Sequence, residues 1–115
     1  MMLNTSAVEI DESSISISKI ENTVTVGGSL QNHHSKKVKV IFSAVVFLAD
    51  VRIADKGDRN FSFGRDNILH DFYLSEELDA QEHKSFESIP YEITESDADN
   101  AMLAYYTTVL AVSEL

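Results

Sequence analysis

The chain has 115 residues, 43% hydrophobic and 9% aromatic, a balance that fits one globular domain with a modest core and argues against global disorder. It contains no cysteine, which excludes disulfides, thiolate metal sites, iron–sulfur clusters and a cysteine nucleophile. The net charge of −10 is lopsided: residues 1–65 carry seven acids and eight bases, whereas residues 66–115 carry twelve acids and one base, so nucleic acid and anionic membrane are poor partners.

Residues 1–12 are polar with isolated apolar positions and are expected to be a flexible segment that frays. The start of the chain has neither a basic region nor a continuous apolar core, so no signal peptide is read there. No apolar run approaches the roughly 18 residues that cross a bilayer, and a cytoplasmic protein is expected. Residues 13–115 are read as a single domain.

In residues 13–20 (SSISISKI), Ile15 and Ile17 alternate with serines, the pattern of a half-buried strand. Glu21 and Asn22 make a turn. Residues 23–31 alternate again, with Val24, Val26, Gly28 and Leu30 on one face. The pair Gly27-Gly28 inside a strand signals a bulge or a close backbone approach. Residues 32–35 (NHHS) form a polar loop.

Residues 37–50 (KVKVIFSAVVFLAD) are the centre of the domain. Val38, Val40, Phe42, Ala44, Val46 and Leu48 form one unbroken apolar face. The other face begins with Lys37 and Lys39 and ends with Val45 and Phe47. Strand side chains alternate between faces, so one side lies in the core, and the other is wet at one end and covered at the other. A β-branched and aromatic run without Gly or Pro suits a central strand.

Lys56-Gly57 signals a hairpin turn, and residues 60–63 (NFSF) point two phenylalanines to one side. Residues 68–74 are the next strand. Residues 75–78 (SEEL) are expected to form one helical turn capped by Ser75. Residues 84–94 hold the only proline, Pro90, which sets this strand at an edge or breaks it there. After a polar loop at residues 95–100, residues 101–112 close the domain as a strand, with a helix capped by Asp99 as the alternative. The whole predicts an all-β, immunoglobulin-like antiparallel β-sandwich of about seven strands.

Val24-Thr25-Val26-Gly27, the following Leu30-Gln31-Asn32 and the run Lys37-Val38-Lys39-Val40 resemble the FxLYD family and the related late-embryogenesis-abundant, water-stress type of immunoglobulin-like sandwich. Residues 46–50 occupy the place of the family's naming motif, matching at Leu48 and Asp50 and departing at Val46 and Ala49. Leu78-Asp79-Ala80-Gln81-Glu82, followed by Phe86, resembles the segment leading into a later strand, with Gln81 in place of glycine. The resemblance spans residues 24–86. It implies a non-enzymatic accessory or interaction module and carries no catalytic residues.

Chemistry is sparse. His33-His34 lie in a loop, and neighbours in an extended chain point apart, so joint chelation is disfavoured. His70-Asp71 fall on opposite faces of a strand, which excludes a dyad. Glu95, Asp97 and Asp99 take every second position like the opening of a calcium loop. Asn100 and Tyr106 then stand where an EF-hand loop needs Gly and Glu, so only a sandwich-loop calcium site, helped by Asp50, Asp55 or Asp58, remains. The expected function is a non-enzymatic protein-interaction module, without a required cofactor, that self-associates as a homodimer through strand edges or through Val45 and Phe47, with Lys37 and Lys39 contributing charge. The alternatives are a calcium-binding module, or an acidic nucleic-acid mimic that inhibits a basic partner.

Overall fold

The computed structural model describes residues 1–48, 68–93 and 103–115. Nine strands are described: β1 (Met2–Leu3), β2 (Val8–Ile10), β3 (Ser16–Ile20), β4 (Thr23–Asn32), β5 (Val38–Leu48), β6 (Ile68–Leu78), β7 (His83–Glu87), β8 (Tyr91–Glu92) and β9 (Leu103–Glu114). They form two antiparallel sheets. The first has the order β1-β9-β5-β6, with β5 at its centre. Val38, Val40, Phe42, Ala44 and Val46 are all buried, so the period-two face read from the sequence is the core face.

The second sheet is built on β4. Leu30 pairs with Ile10 of β2 and with Lys84 of β7, and Thr23 pairs with Ile20 of β3 and with Glu92 of β8. Gly27 pairs with both Ser16 and Glu87. β2 and β3 therefore lie end to end along one side of β4, and β7 and β8 along the other. Four ribbons in one sheet and three in the other make the seven-ribbon, all-β sandwich that the alternation predicts.

The core has two neighbouring clusters. One joins Phe42, Val40, Leu78 and Val112 to Leu30, Phe86, Val8 and Ile10 across the sheets. Phe42 and Phe86 meet edge to face with centroids 4.8 Å apart. The other joins Ala44, Val46 and Phe72 to Val24, Val26 and Ile93. Ile15 and Leu74 pack against both.

Gly28 is a close approach: an added Cβ would lie 2.7 Å from Ile15 Cδ1 and 3.0 Å from Phe86 Cζ. Glu21, in the turn between β3 and β4, has φ 54°.

Two expectations are corrected, at residues 75–78 and at residue 32. Residues 1–12 also take part in the fold: β1 pairs with the end of β9, and Val8 and Ile10 enter the core. Apolar residues two apart are too few to read as a strand alone, but they suffice once β4 supplies the ladder. Residues 75–78 form no helical turn. They continue β6, because Leu78 pairs with Val38 and is fully buried, and the alternation from Leu74 reaches it only through extended backbone. The loop at residues 32–35 begins with a residue that is not solvated. Asn32 is 0% exposed, its Nδ2 donates to the carbonyls of Lys36 (3.1 Å) and Asp79 (2.8 Å), and its Oδ1 accepts from His34 N–H (2.9 Å). The described part of the closing segment, β9, is a strand; its helical alternative is not realised. Residues 56–57, 60–63 and 95–100 lie outside the described residues.

Candidate functional site: an open strand edge and its groove

A β-sandwich has two open sides, where the edges of its sheets face each other. On the side of β9, β2 and β3, the N-terminal segment fills the gap. The turn at Glu12–Ser14 is capped by Asp11, whose carboxylate accepts from Ser13 N–H at 3.1 Å. Ser14 Oγ accepts from Ser29 N–H at 2.9 Å, and Asp11 N–H donates to the Ser29 carbonyl at 3.0 Å, which fastens the turn to β4. Tyr105 Oη donates to the Glu12 carbonyl at 3.2 Å, and Thr107 Oγ1 donates to the Glu12 carboxylate.

The other side lies between β6 and the β7–β8 edge, and it holds a groove of about 440 Å³. β6 contributes His70, Phe72 and Leu74, and residues 87–91 form the facing wall. At one end His70 stacks on Tyr91, with centroids 3.8 Å apart and planes 10° from parallel, and meets Phe72 edge to face at 4.6 Å. At the other end Lys84 Nζ lies 3.0 Å from Glu76 Oε2 and donates to the Glu77 carbonyl at 3.1 Å. The hydrogen bond to Glu76, reinforced by that carboxylate's charge, raises the Lys84 pKa above the ordinary lysine value.

Pro90 decides the facing wall. The ladder between β4 and β7 stops at Glu87 and resumes at Tyr91, and Ser88 bridges the break. Its N–H donates to the Val26 carbonyl at 2.8 Å, and its Oγ accepts from Val26 N–H at 2.8 Å. The chain then bends outward, leaving Ile89 84% exposed at the rim. An interrupted edge of this kind resists further strand pairing.

β6 has no proline break; its pairing with β5 shifts register only at Leu69, before Asp71. It runs eleven residues, and among the described residues no strand pairs with its outer side. In a strand the N–H and C=O of one residue point to the same side, and successive residues alternate. The Glu77 carbonyl is taken by Lys84, beyond the outer side of β6, so it points away from β5. The backbone groups of Ser75, Tyr73 and Asp71 therefore point away from β5 as well. Tyr73, 71% exposed, stands beside them.

The side chains singled out from sequence are not gathered here. Lys37 and Lys39 sit at the start of β5, where Lys37 Nζ lies 3.8 Å from Glu77 Oε2. Val45, half-buried, and Phe47, only 6% exposed within a single chain, sit at the far end. Of the second face at that end of β5, Phe47 is thus buried within the single chain and Val45 only partly so. Glu95, Asp97 and Asp99, with Asp50, Asp55 and Asp58, lie outside the described residues. Among the described residues no group of three or more His, Asp or Glu is placed to hold a metal. His33 Nε2 sits 3.4 Å from Glu9 Oε2, while His34 faces Glu114 at 4.0 Å, too far for a hydrogen bond. His70 and Asp71 take opposite faces, with His70 turned into the groove.

The chain matches no known family model, no curated protein and no solved structure. Two of the site's signals stand in the sequence, the Pro90 break and the alternation that turns Tyr73 away from Phe72. Lys84, Ser88 and Tyr91 reach the site through cross-sheet neighbours that no local pattern announces. No helix among the described residues is long and apolar enough to cross a membrane.

Proposed function

We propose that the chain is a non-enzymatic protein-interaction module that engages its partner through the open edge of β6 and the groove beside it. The observation that carries this reading is the outer side of β6 from Asp71 to Ser75, which no strand covers among the described residues, flanked by exposed Tyr73 and Ile89. Free backbone donors and acceptors along an edge are a template for an added strand, and the neighbouring groove supplies side-chain pockets. The resemblance of residues 24–86 to the FxLYD family, read from sequence, would fit an accessory role.

A different protein suits this edge better than a second copy. Pairing β6 with β6 in a symmetric dimer would bring the acid-rich halves of two chains together. Lys36 and Lys37 already serve Glu114 and Glu77 of their own chain, at 3.2 Å and 3.8 Å. Among the described residues, acids sit on both flanks, with Glu9 and Glu12 on one and Glu87 and Glu92 on the other.

A photo-crosslinking side chain placed at Tyr73 or Ile89, compared with one at exposed Ile20 on the opposite flank, tests the reading. Adducts are expected at Tyr73 and Ile89 and not at Ile20. Equal labelling at all three positions, or labelling only at Ile20, would refute it.

A further inference from the structure

We infer that the partner presented to this edge is an extended, basic segment of another protein, which adds as a strand along Asp71, Tyr73 and Ser75. The inference rests on the interaction reading above and names the chemistry of the occupant. Among the described residues the groove is lined by residues 70–91, inside the half of the chain that carries twelve acids and one base. That base is Lys84, and it is already committed to Glu76 and to the Glu77 carbonyl. Glu87 stands on the facing wall, and no ion pair engages it among the described residues. An incoming strand therefore meets the Glu87 carboxylate on the facing wall and, among the described residues, no available cation. Complementarity calls for lysine or arginine.

The same geometry sets the register. Lys84 blocks the outer side of β6 at Glu77, so an added strand ends there. Alternate side chains of that strand point inward, over a floor that includes Phe72 and Leu74 beneath exposed Ile89. The side chains between them lie beside Tyr73 and Ser75. The occupant is thus a short stretch in which inward basic residues, stems over that floor and heads toward Glu87, alternate with apolar residues that flank Tyr73 and Ser75. An acidic segment would meet like charge at Glu87.

The test uses the full chain, isotope-labelled for amide NMR, with capped peptides of about eight residues, a strand's length. One alternates lysine and valine, and the others place threonine or glutamate at the lysine positions. The lysine peptide is expected to shift the amides of Asp71, Tyr73 and Ser75, to weaken as salt is raised, and to bind roughly two- to fivefold more weakly to Glu87→Gln. Tyr73→Pro should abolish binding, because it removes an N–H that faces the open side and not the β5 ladder. Glu87→Gln changes an exposed side chain, so the test stands even if the proline variant misfolds. If the threonine peptide binds as tightly and Glu87→Gln changes nothing, the basic occupant is wrong while the edge reading survives. If light scattering shows a dimer whose interface protects these amides, the occupant is a second copy and the inference is overturned. If no peptide perturbs these amides, the inference and the edge reading fail together.

Discussion

The two open sides of this sandwich are treated in opposite ways. On one side, residues 8–15 pack apolar side chains into the core and close the gap with hydrogen bonds to β4 and β9. On the other, β6 and the β7–β8 edge meet only at their ends, through the Lys84–Glu76 pair and the His70–Tyr91 stack, with a groove between. The closed side gains stability from burial and has little surface left to offer. The open side leaves donors, acceptors and aromatic surface facing outward, where water satisfies the polar groups until something docks. The difference teaches that sheet edges of similar length take different roles according to what the rest of the chain lays over them.

Substitutions on the two sides should separate these roles. The largest effect is expected on the closed side. Ile10→Ala should remove about 2–5 kcal/mol of stability in chemical denaturation, because it empties a core position supplied by the N-terminal segment. A loss below about 0.5 kcal/mol would show that residues 1–12 do not belong to the core. Next comes Ser88→Ala, which leaves the buried Val26 N–H without its acceptor at the break in the groove wall. About 1–3 kcal/mol should be lost, and the Val26 amide should exchange faster.

Thr107→Val removes the donor to the Glu12 carboxylate and should cost about 0.5–1.5 kcal/mol, with the Glu12–Ser14 turn loosened and the groove unchanged. The smallest change is expected at the clasp of the open side. Lys84→Met should barely move the melting temperature, yet it should free the Glu77 carbonyl and lengthen the available edge. The sign of its pH dependence follows from a pKa raised above that of the unfolded chain. The Lys84 clasp contributes fully below the ordinary lysine pKa and is lost as pH rises through the higher folded value. A Lys84 side-chain titration by NMR with a midpoint at or below the ordinary lysine value would contradict this.

Period-two alternation determined much of this protein on its own. It identified β5 as the central ribbon with Val38, Val40, Phe42, Ala44 and Val46 inside, it located β4 and β9, and it anticipated both the Gly28 approach and the break at Pro90. These are properties of a strand and the face it turns inward, and they repeat every two residues along the chain. Alternation failed where the local pattern was short or mixed, at Val8 and Ile10 and at residues 75–78, whose conformation follows from a partner strand. The candidate site was legible only in fragments, because it depends on which edges end up side by side. Thr107 reaches Glu12 across 95 positions, and Val26 reaches Ser88 across 62. Only the packing of the two sheets decided which flank was closed and which was left as a groove, since that choice is made by contacts between residues far apart in sequence.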